Sequence, residues 1–141
     1  MGSLFILSHF IVILFALFLI FSGYLMFFKP ESVRKIIAKA GSTYLINYSE
    51  LVVRLLIGIA FYTVSLLSIY ELFFLVFGYF LIGSALILML VPIKTHNKFS
   101  RKASEFLKPT YLKFIAPISL ISGLLVLLII YKQIESLNNL Y

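Results

Sequence analysis

Residues 50–70, ELVVRLLIGIAFYTVSLLSIY, form a long apolar stretch that carries charged residues inside its hydrophobic span. Its less apolar residues recur at spacings of three or four, so they share one face of a helix. They are Glu50, Arg54, Gly58, Tyr62 and Ser65. Polar groups within a membrane helix face protein or a watery cavity rather than lipid. The pattern therefore predicts that this stripe is a contact face of a transmembrane helix.

The composition of the whole chain predicts further membrane-crossing helices. Hydrophobic residues make up 62% of the 141 residues and charged residues 12%, and the mean hydropathy is +1.11. Four apolar stretches approach or exceed the roughly 18 to 20 residues that cross a bilayer. We predict an all-α, polytopic membrane protein with one domain, residues 1–141. Its crossings are expected at residues 4–28, 46–70, 72–92 and 113–131.

The basic segments that connect the crossings have a helical pattern of their own. Residues 29–45 contain a proline, an apolar stripe at helical spacing and a glycine, which predicts a short amphipathic helix on the membrane surface. The alternative is a solvated connection. Residues 93–112 predict a second such helix. Their basic residues are candidate contacts for anionic lipid headgroups: Arg34, Lys35, Lys39, Arg101 and Lys102.

The distribution of Lys and Arg predicts the orientation. Nine of the twelve basic residues lie in the two connections and Lys113 directly follows the second, Arg54 lies within a helix, and only Lys132 lies at the opposite end. Basic residues stay on the cytoplasmic side, so both termini and a tight turn of one or two residues around Glu71 are expected outside. No basic segment precedes the first apolar run, which indicates a retained helix rather than a signal peptide. The net charge of +7 reflects this arrangement, and nucleic-acid binding is not expected.

Small residues mark the expected helix contacts, because they let two backbones approach closely in a membrane. His9, Ala16 and Gly23 recur at steps of seven in the first crossing. The full set of packing candidates is Ala16, Gly23, Gly58, Gly78, Gly83, Ala85, Ser119 and Gly123. The chain also has the form of one unit used twice, because each half is a crossing, a basic connection and a returning crossing. It thus predicts a four-helix bundle whose halves are either two parallel hairpin repeats or alike in topology alone.

The first half contains a family-like pattern. The run of residues 23–30, GYLMFFKP, the basic segment after it and residues 53–58, VRLLIG, resemble small YjeT-like bacterial inner-membrane proteins. The resemblance covers half of the chain and departs from the family in having four crossings instead of two. It implies a bacterial inner-membrane location and carries no activity over.

The polar candidates each have two interpretations. Glu50 and Arg54 have the favourable order for an ion pair at i, i+4. Arg54 then either binds an anionic headgroup, a partner carboxylate or an ion, or simply snorkels to the interface. His9 is either a proton-carrying group or a satisfied interfacial histidine. His96, among lysines, is expected to be solvated.

The sequence contains few side chains that could catalyse a reaction or bind a metal. The chain has no Cys and no Asp, and its five carboxylates and two histidines form no ligand or catalytic pattern. We therefore expect no catalytic residue, metal or cofactor. The favoured function is a non-catalytic accessory or structural subunit that packs against other membrane proteins or against copies of itself. The alternative is a small homo-oligomeric transporter or channel.

Overall fold

The computed structural model describes residues 2–140, which form six α-helices. They are α1 (Ser3–Phe28), α2 (Pro30–Lys39), α3 (Tyr44–Ser65), α4 (Glu71–Leu90), α5 (Ile93–Phe106) and α6 (Pro109–Asn138). Helices α1, α3, α4 and α6 are long and apolar enough to cross a membrane. The predicted all-α fold with four membrane-spanning helices is confirmed, and it makes the chain a small integral membrane protein.

Two of the crossings end elsewhere than the sequence pattern indicates. Helix α3 ends at Ser65, so residues 66–70 connect it to α4 instead of a turn of one or two residues. The Ser65 hydroxyl donates to the Tyr62 carbonyl, and the Ser68 hydroxyl accepts from the Tyr70 amide. Serine hydroxyls compete for backbone groups in this way and favour turns. Helix α6 is longer than expected and includes most of the polar tail.

The crossings pack as two close antiparallel pairs. Helix α1 lies along α6 and helix α3 lies along α4, while a smaller contact joins α1 to α3. A Cβ atom on Gly123 would lie 2.6 Å from the Ala16 carbonyl oxygen, and one on Gly23 would lie 2.9 Å from the Ala116 oxygen. The Ser119 hydroxyl donates to the Leu19 carbonyl at 2.7 Å. The α1–α6 contact therefore depends on small residues on both helices.

The second pair is built in the same way. A Cβ atom on Gly58 would lie 3.1 Å from the Gly78 oxygen, and the reverse distance is also 3.1 Å. Ala85 is fully buried. Gly83 differs from the other predicted packing residues, because a Cβ atom there would meet nothing within 4 Å. Gly83 therefore makes no close helix contact within the described part of the chain.

An apolar core fills the middle of the bundle. Phe61 is at its centre, with its ring 5.5 Å from that of Phe15 and 5.7 Å from that of Phe74. Aromatic pairs at these separations add to the stabilisation from buried area. The other buried members of the core are Val12, Ala16, Ala60, Val64, Val126 and Ile130.

The two halves bury the same positions. Helices α3 and α6 begin 65 residues apart, at Tyr44 and Pro109, and their close-contact glycines, Gly58 and Gly123, are also 65 residues apart. Other buried pairs at this spacing are Asn47 and Leu112, Leu51 and Ala116, Phe61 and Val126, and Ser65 and Ile130. In α1 and α4 the spacing is 62, with Val12 and Phe74, Ala16 and Gly78, and Gly23 and Ala85.

The contacts between helices also correspond when each helix of one half is replaced by its counterpart in the other half. The α1–α6 pair corresponds to the α4–α3 pair, and α2 packs against its own counterpart, α5. The symmetry is incomplete, because α2 contacts α1 and α6 more than α5 contacts α4 and α3, and because the α4–α6 contact is much smaller than the α1–α3 contact. A cavity of about 350 Å³ lies there, lined by residues of α1, α3, α4 and α6. The buried pattern and the contacts together agree with the predicted parallel repeat.

Candidate functional site at the basic end of the bundle

A cavity of about 580 Å³ lies where the two short helices meet the ends of α3 and α4. Both predicted charges of α3, Glu50 and Arg54, line it. Its polar lining is completed by Lys39, His96 and Ser100, and its apolar lining includes Ile36, Ile37, Ile46, Leu88 and Phe99. The fold thus brings residues from four helices to one mixed polar and apolar cavity.

Glu50 and Arg54 form the predicted ion pair. The Arg54 Nη2 group donates to Glu50 Oε1, and both side chains are about 30% exposed. The other carboxylate oxygen, Glu50 Oε2, is buried and has no hydrogen-bond partner among the described residues. A helical ion pair of this kind contributes only about 0.3–0.5 kcal/mol. The second carboxylate oxygen is left to accept from a further donor.

His96 lies next to the ion pair and is buried, with 5% of its surface exposed. The prediction that it is solvated is wrong, because its ring lies beside Asn47 in the first turn of α3 and Gly41 in the α2–α3 connection. There His96 Nδ1 is 2.6 Å from Oδ1 of Asn47, which is also buried. An amide oxygen only accepts, so Nδ1 carries the proton. Asn47 was not among the predicted residues, although it precedes Glu50 by one turn and shares its helical face.

Helices α2 and α5 hold each other in place at both ends. The Asn97 side-chain amide donates to the Ala38 and Ala40 carbonyls at the end of α2, at 3.2 and 2.9 Å. In the opposite direction, Arg34 Nε donates to the Ser104 carbonyl near the end of α5 at 2.9 Å. Carbonyls at a helix end otherwise have no partner. This reciprocal capping fixes two walls of the cavity.

The predicted lipid-contacting residues divide into two groups. Arg34 is half-buried and bonds to Glu31 as well as to Ser104, so its guanidinium group has a role in holding α2 and α5 together. The lysines and arginine that remain exposed are Lys35, Lys39, Arg101 and Lys102. Of these, only Lys39 lines the cavity.

A second, smaller polar cluster lies at the other end of the bundle. His9 is buried, with Nδ1 2.9 Å from the Phe5 carbonyl and Nε2 3.2 Å from Nε2 of Gln133. The carbonyl accepts from Nδ1, so Nε2 accepts from the Gln133 amide. Gln133 Oε1 is buried without a partner among the described residues. Both ring nitrogens of His9 thus have hydrogen-bond partners. One partner, Gln133, lies too far along the chain for the sequence pattern to indicate it.

The rest of the α3 stripe leads away from the cavity. Gly58 and Ser65 are buried, as a contact face requires. Tyr62 lies at the edge of this face, 37% exposed, with its ring 5.7 Å from that of Tyr79 on α4. The stripe is therefore a helix-contact face within the bundle, with its tyrosine at the boundary to the surroundings.

The second half of the internal repeat lacks the charged groups of this cavity. Positions 47, 50 and 54 of α3 correspond, at the spacing of 65, to Leu112, Ile115 and Ser119 of α6. Leu112 is buried like Asn47. The cavity between the ends of α1 and α6, beside Ala116 and Pro117, is lined by apolar residues and Tyr24. Only the first half of the chain carries the Asn47, Glu50 and Arg54 set.

No protein-family model, curated protein or solved structure matches this chain. Within residues 2–140, no three His, Cys, Asp or Glu side chains come together as metal ligands. What the cavity offers is recognition by charge, hydrogen bonding and apolar contact.

Proposed function

We propose that this chain is a non-catalytic accessory subunit of a larger complex in the bacterial cytoplasmic membrane. Its basic connections face the cytoplasm and both termini lie on the other side. The concentration of ten basic residues in or directly beside the two connections supports this orientation. The resemblance of the first half to YjeT-like proteins supports the same membrane.

The observation that carries this proposal is the apolar core between the two polar clusters. On α1, His9 is followed by the buried Val12 and Ala16, and on α3 the buried Phe61 follows Arg54. Among the described residues, the buried polar side chains of the crossings lie towards the helix ends: Ser8, His9, Asn47, Ser65 and Gln133. A transport path needs polar groups or water across the bilayer. The apolar middle of the bundle therefore favours a binding or structural role over conduction.

The exposed side of α4 offers a surface for a partner helix. Gly83 is open to close approach, and Tyr79 and Phe80 beside it are more than half exposed. Ser84 is half-buried, with its hydroxyl bonded to the Leu81 carbonyl. A small residue flanked by aromatic residues lets another helix come near and pack around it. Tyr79, Phe80 and Gly83 share this side of α4 and form a partner face.

One observation favours the alternative, a small homo-oligomeric transporter. The cavity between α4 and α6 interrupts the internal symmetry, and Ser119 and Ser122 line it together with apolar residues. It contains no charged residue, so it suits an apolar solute rather than an ion. A homo-oligomer would place two such cavities in one assembly.

The test is affinity purification of the full chain in a mild detergent, followed by mass spectrometry of the proteins that accompany it. We expect a defined partner protein with the natural chain and its loss with Gly83→Ile, because the new side chain blocks the partner face. Leu124→Phe changes an exposed position on α6 and is the matched control. Repeated recovery of the chain alone, or only as a homo-oligomer, contradicts the accessory role.

A further inference from the structure

The cavity at the basic end has the size and lining of a site for an amphiphilic molecule. Its volume of about 580 Å³ lies within the range of roughly 300–1,000 Å³ that is typical of small-molecule sites. Two of its apolar residues, Ile36 and Phe99, are 62% and 71% exposed. They form an apolar rim on the two short helices, while the charged residues lie on α3 and at the end of α2.

The cationic residues of the cavity have N–H groups that are free to donate to a ligand. Among residues 2–140, the Arg54 guanidinium makes one hydrogen bond, to Glu50, although it carries five N–H groups. Lys39 is exposed and forms no ion pair with the described residues. A guanidinium group matches the geometry of a phosphate, and an ammonium group adds a point charge. The cavity can therefore bind a phosphate.

The carboxylate of the cavity lacks a donor. Glu50 Oε2 has no hydrogen-bond partner among the described residues, so it can accept from a donor on a ligand. A primary ammonium group carries three N–H donors and a positive charge, so it can both donate to the free carboxylate oxygen and pair with its negative charge. A quaternary ammonium group carries the charge and no donor. A phosphate and a primary ammonium within one ligand thus complement Arg54, Lys39 and Glu50.

We propose that this cavity binds the headgroup of a phospholipid with a primary amine, of the phosphatidylethanolamine class. Arg54 and Lys39 contact the phosphate, Glu50 accepts from the ammonium, and the acyl chains leave along the apolar residues of the lining. The second half of the chain, with Ile115 and Ser119 at the positions of Glu50 and Arg54, has no equivalent site. This inference does not depend on the accessory role.

Native mass spectrometry of the full chain in detergent tests the site with lipids of identical acyl chains. The headgroups are phosphoethanolamine, its monomethyl and dimethyl forms, phosphocholine and phosphoglycerol. We expect affinity to fall with each methyl group, to about tenfold weaker for phosphocholine, because hydrogen bonds to a charged group are lost. Equal binding of all five lipids, or a preference for phosphoglycerol, overturns the assignment.

Variants assign the preference to named residues. Glu50→Gln is expected to abolish the difference between phosphoethanolamine and phosphocholine lipids, and Arg54→Gln to weaken both. Glu105→Gln, at an exposed carboxylate of α5, is the matched control and keeps the preference. Retention of the preference in Glu50→Gln overturns the proposal. If that variant does not fold, the methylation series on the natural chain decides.

A competition separates a lipid from a soluble ligand with the same chemistry. Free phosphoethanolamine in large excess is expected to leave the lipid bound, because the apolar lining contacts the acyl chains. Displacement by the free compound means that the site recognises a soluble molecule, and the lipid assignment is then wrong.

Discussion

Asn47 and His96 are hydrogen-bonded at 2.6 Å, although 49 residues separate them in the chain. Both side chains are buried, and their bond fastens the short helix α5 to the first turn of α3. It also supports one wall of the cavity that Glu50 and Arg54 line. The geometry of this cavity therefore depends on a polar contact. The residue of α6 that corresponds to Asn47 is Leu112, whose side chain cannot form such a hydrogen bond.

Removal of one partner of this bond is expected to destabilise the protein. Asn47→Ala leaves the His96 N–H buried without an acceptor, at a cost of about 1–3 kcal/mol. Thermal unfolding in detergent, followed by circular dichroism, measures the loss. Replacement of both residues by leucine removes the unpaired group, so the double variant should be more stable than Asn47→Ala. An unchanged melting temperature in Asn47→Ala contradicts the contact.

The glycines of α3 and α4 should respond differently to the same substitution. Gly58→Ile forces the two helices apart, because a Cβ atom there would already lie 2.9 Å from the Ile82 amide nitrogen. Overpacking of this kind costs roughly 1–3 kcal/mol or more. Gly83→Ile, in open space, is the matched control and should unfold at nearly the natural temperature. Equal effects of the two changes would mean that α3 and α4 pack differently.

Gly41 has a conformational role in the connection from α2 to α3. Its φ angle is +71°, and a Cβ atom would lie 2.9 Å from the Asn97 amide nitrogen. Gly41→Ala should destabilise the chain by about 1–2 kcal/mol from the backbone conformation, and by more if Asn97 has to move. The measurement is thermal unfolding, with Gly2→Ala as the control. A stabilised Gly41→Ala variant contradicts this geometry.

Single cysteines test the orientation without interference, because the natural chain has none. Ser68→Cys, between α3 and α4, should react in intact cells with a reagent that does not cross the cytoplasmic membrane. Lys98→Cys, on α5, should react only after that membrane is opened. The reverse pattern would invert the proposed topology.

The sequence predicts the crossings and their contact faces well, because both depend on local composition and spacing. The seven-residue steps of His9, Ala16 and Gly23 mark a face that is indeed buried. What depends on contacts between distant segments is harder to predict. The burial of His96 follows from its contacts with Asn47 and Gly41, and the pairing of His9 with Gln133 spans 124 residues.

The candidate site was predictable only in part, for the same reason. The spacing of Glu50 and Arg54 predicts their ion pair, which lies within one helix. The cavity needs four helices to converge, and the unpaired state of Glu50 Oε2 depends on that convergence. The end of α3 at Ser65 comes inside an apolar run, so hydrophobicity does not mark it.

Photo-crosslinking in living cells tests the central claim, that the exposed side of α4 binds another membrane protein. A photoreactive amino acid replaces Tyr79 in the partner face, and in a matched variant it replaces Leu124 on α6; both positions are more than half exposed. We expect a discrete adduct with a different protein from position 79 and none from position 124. Adducts with lipid alone, or with a second copy of this chain alone, would contradict it.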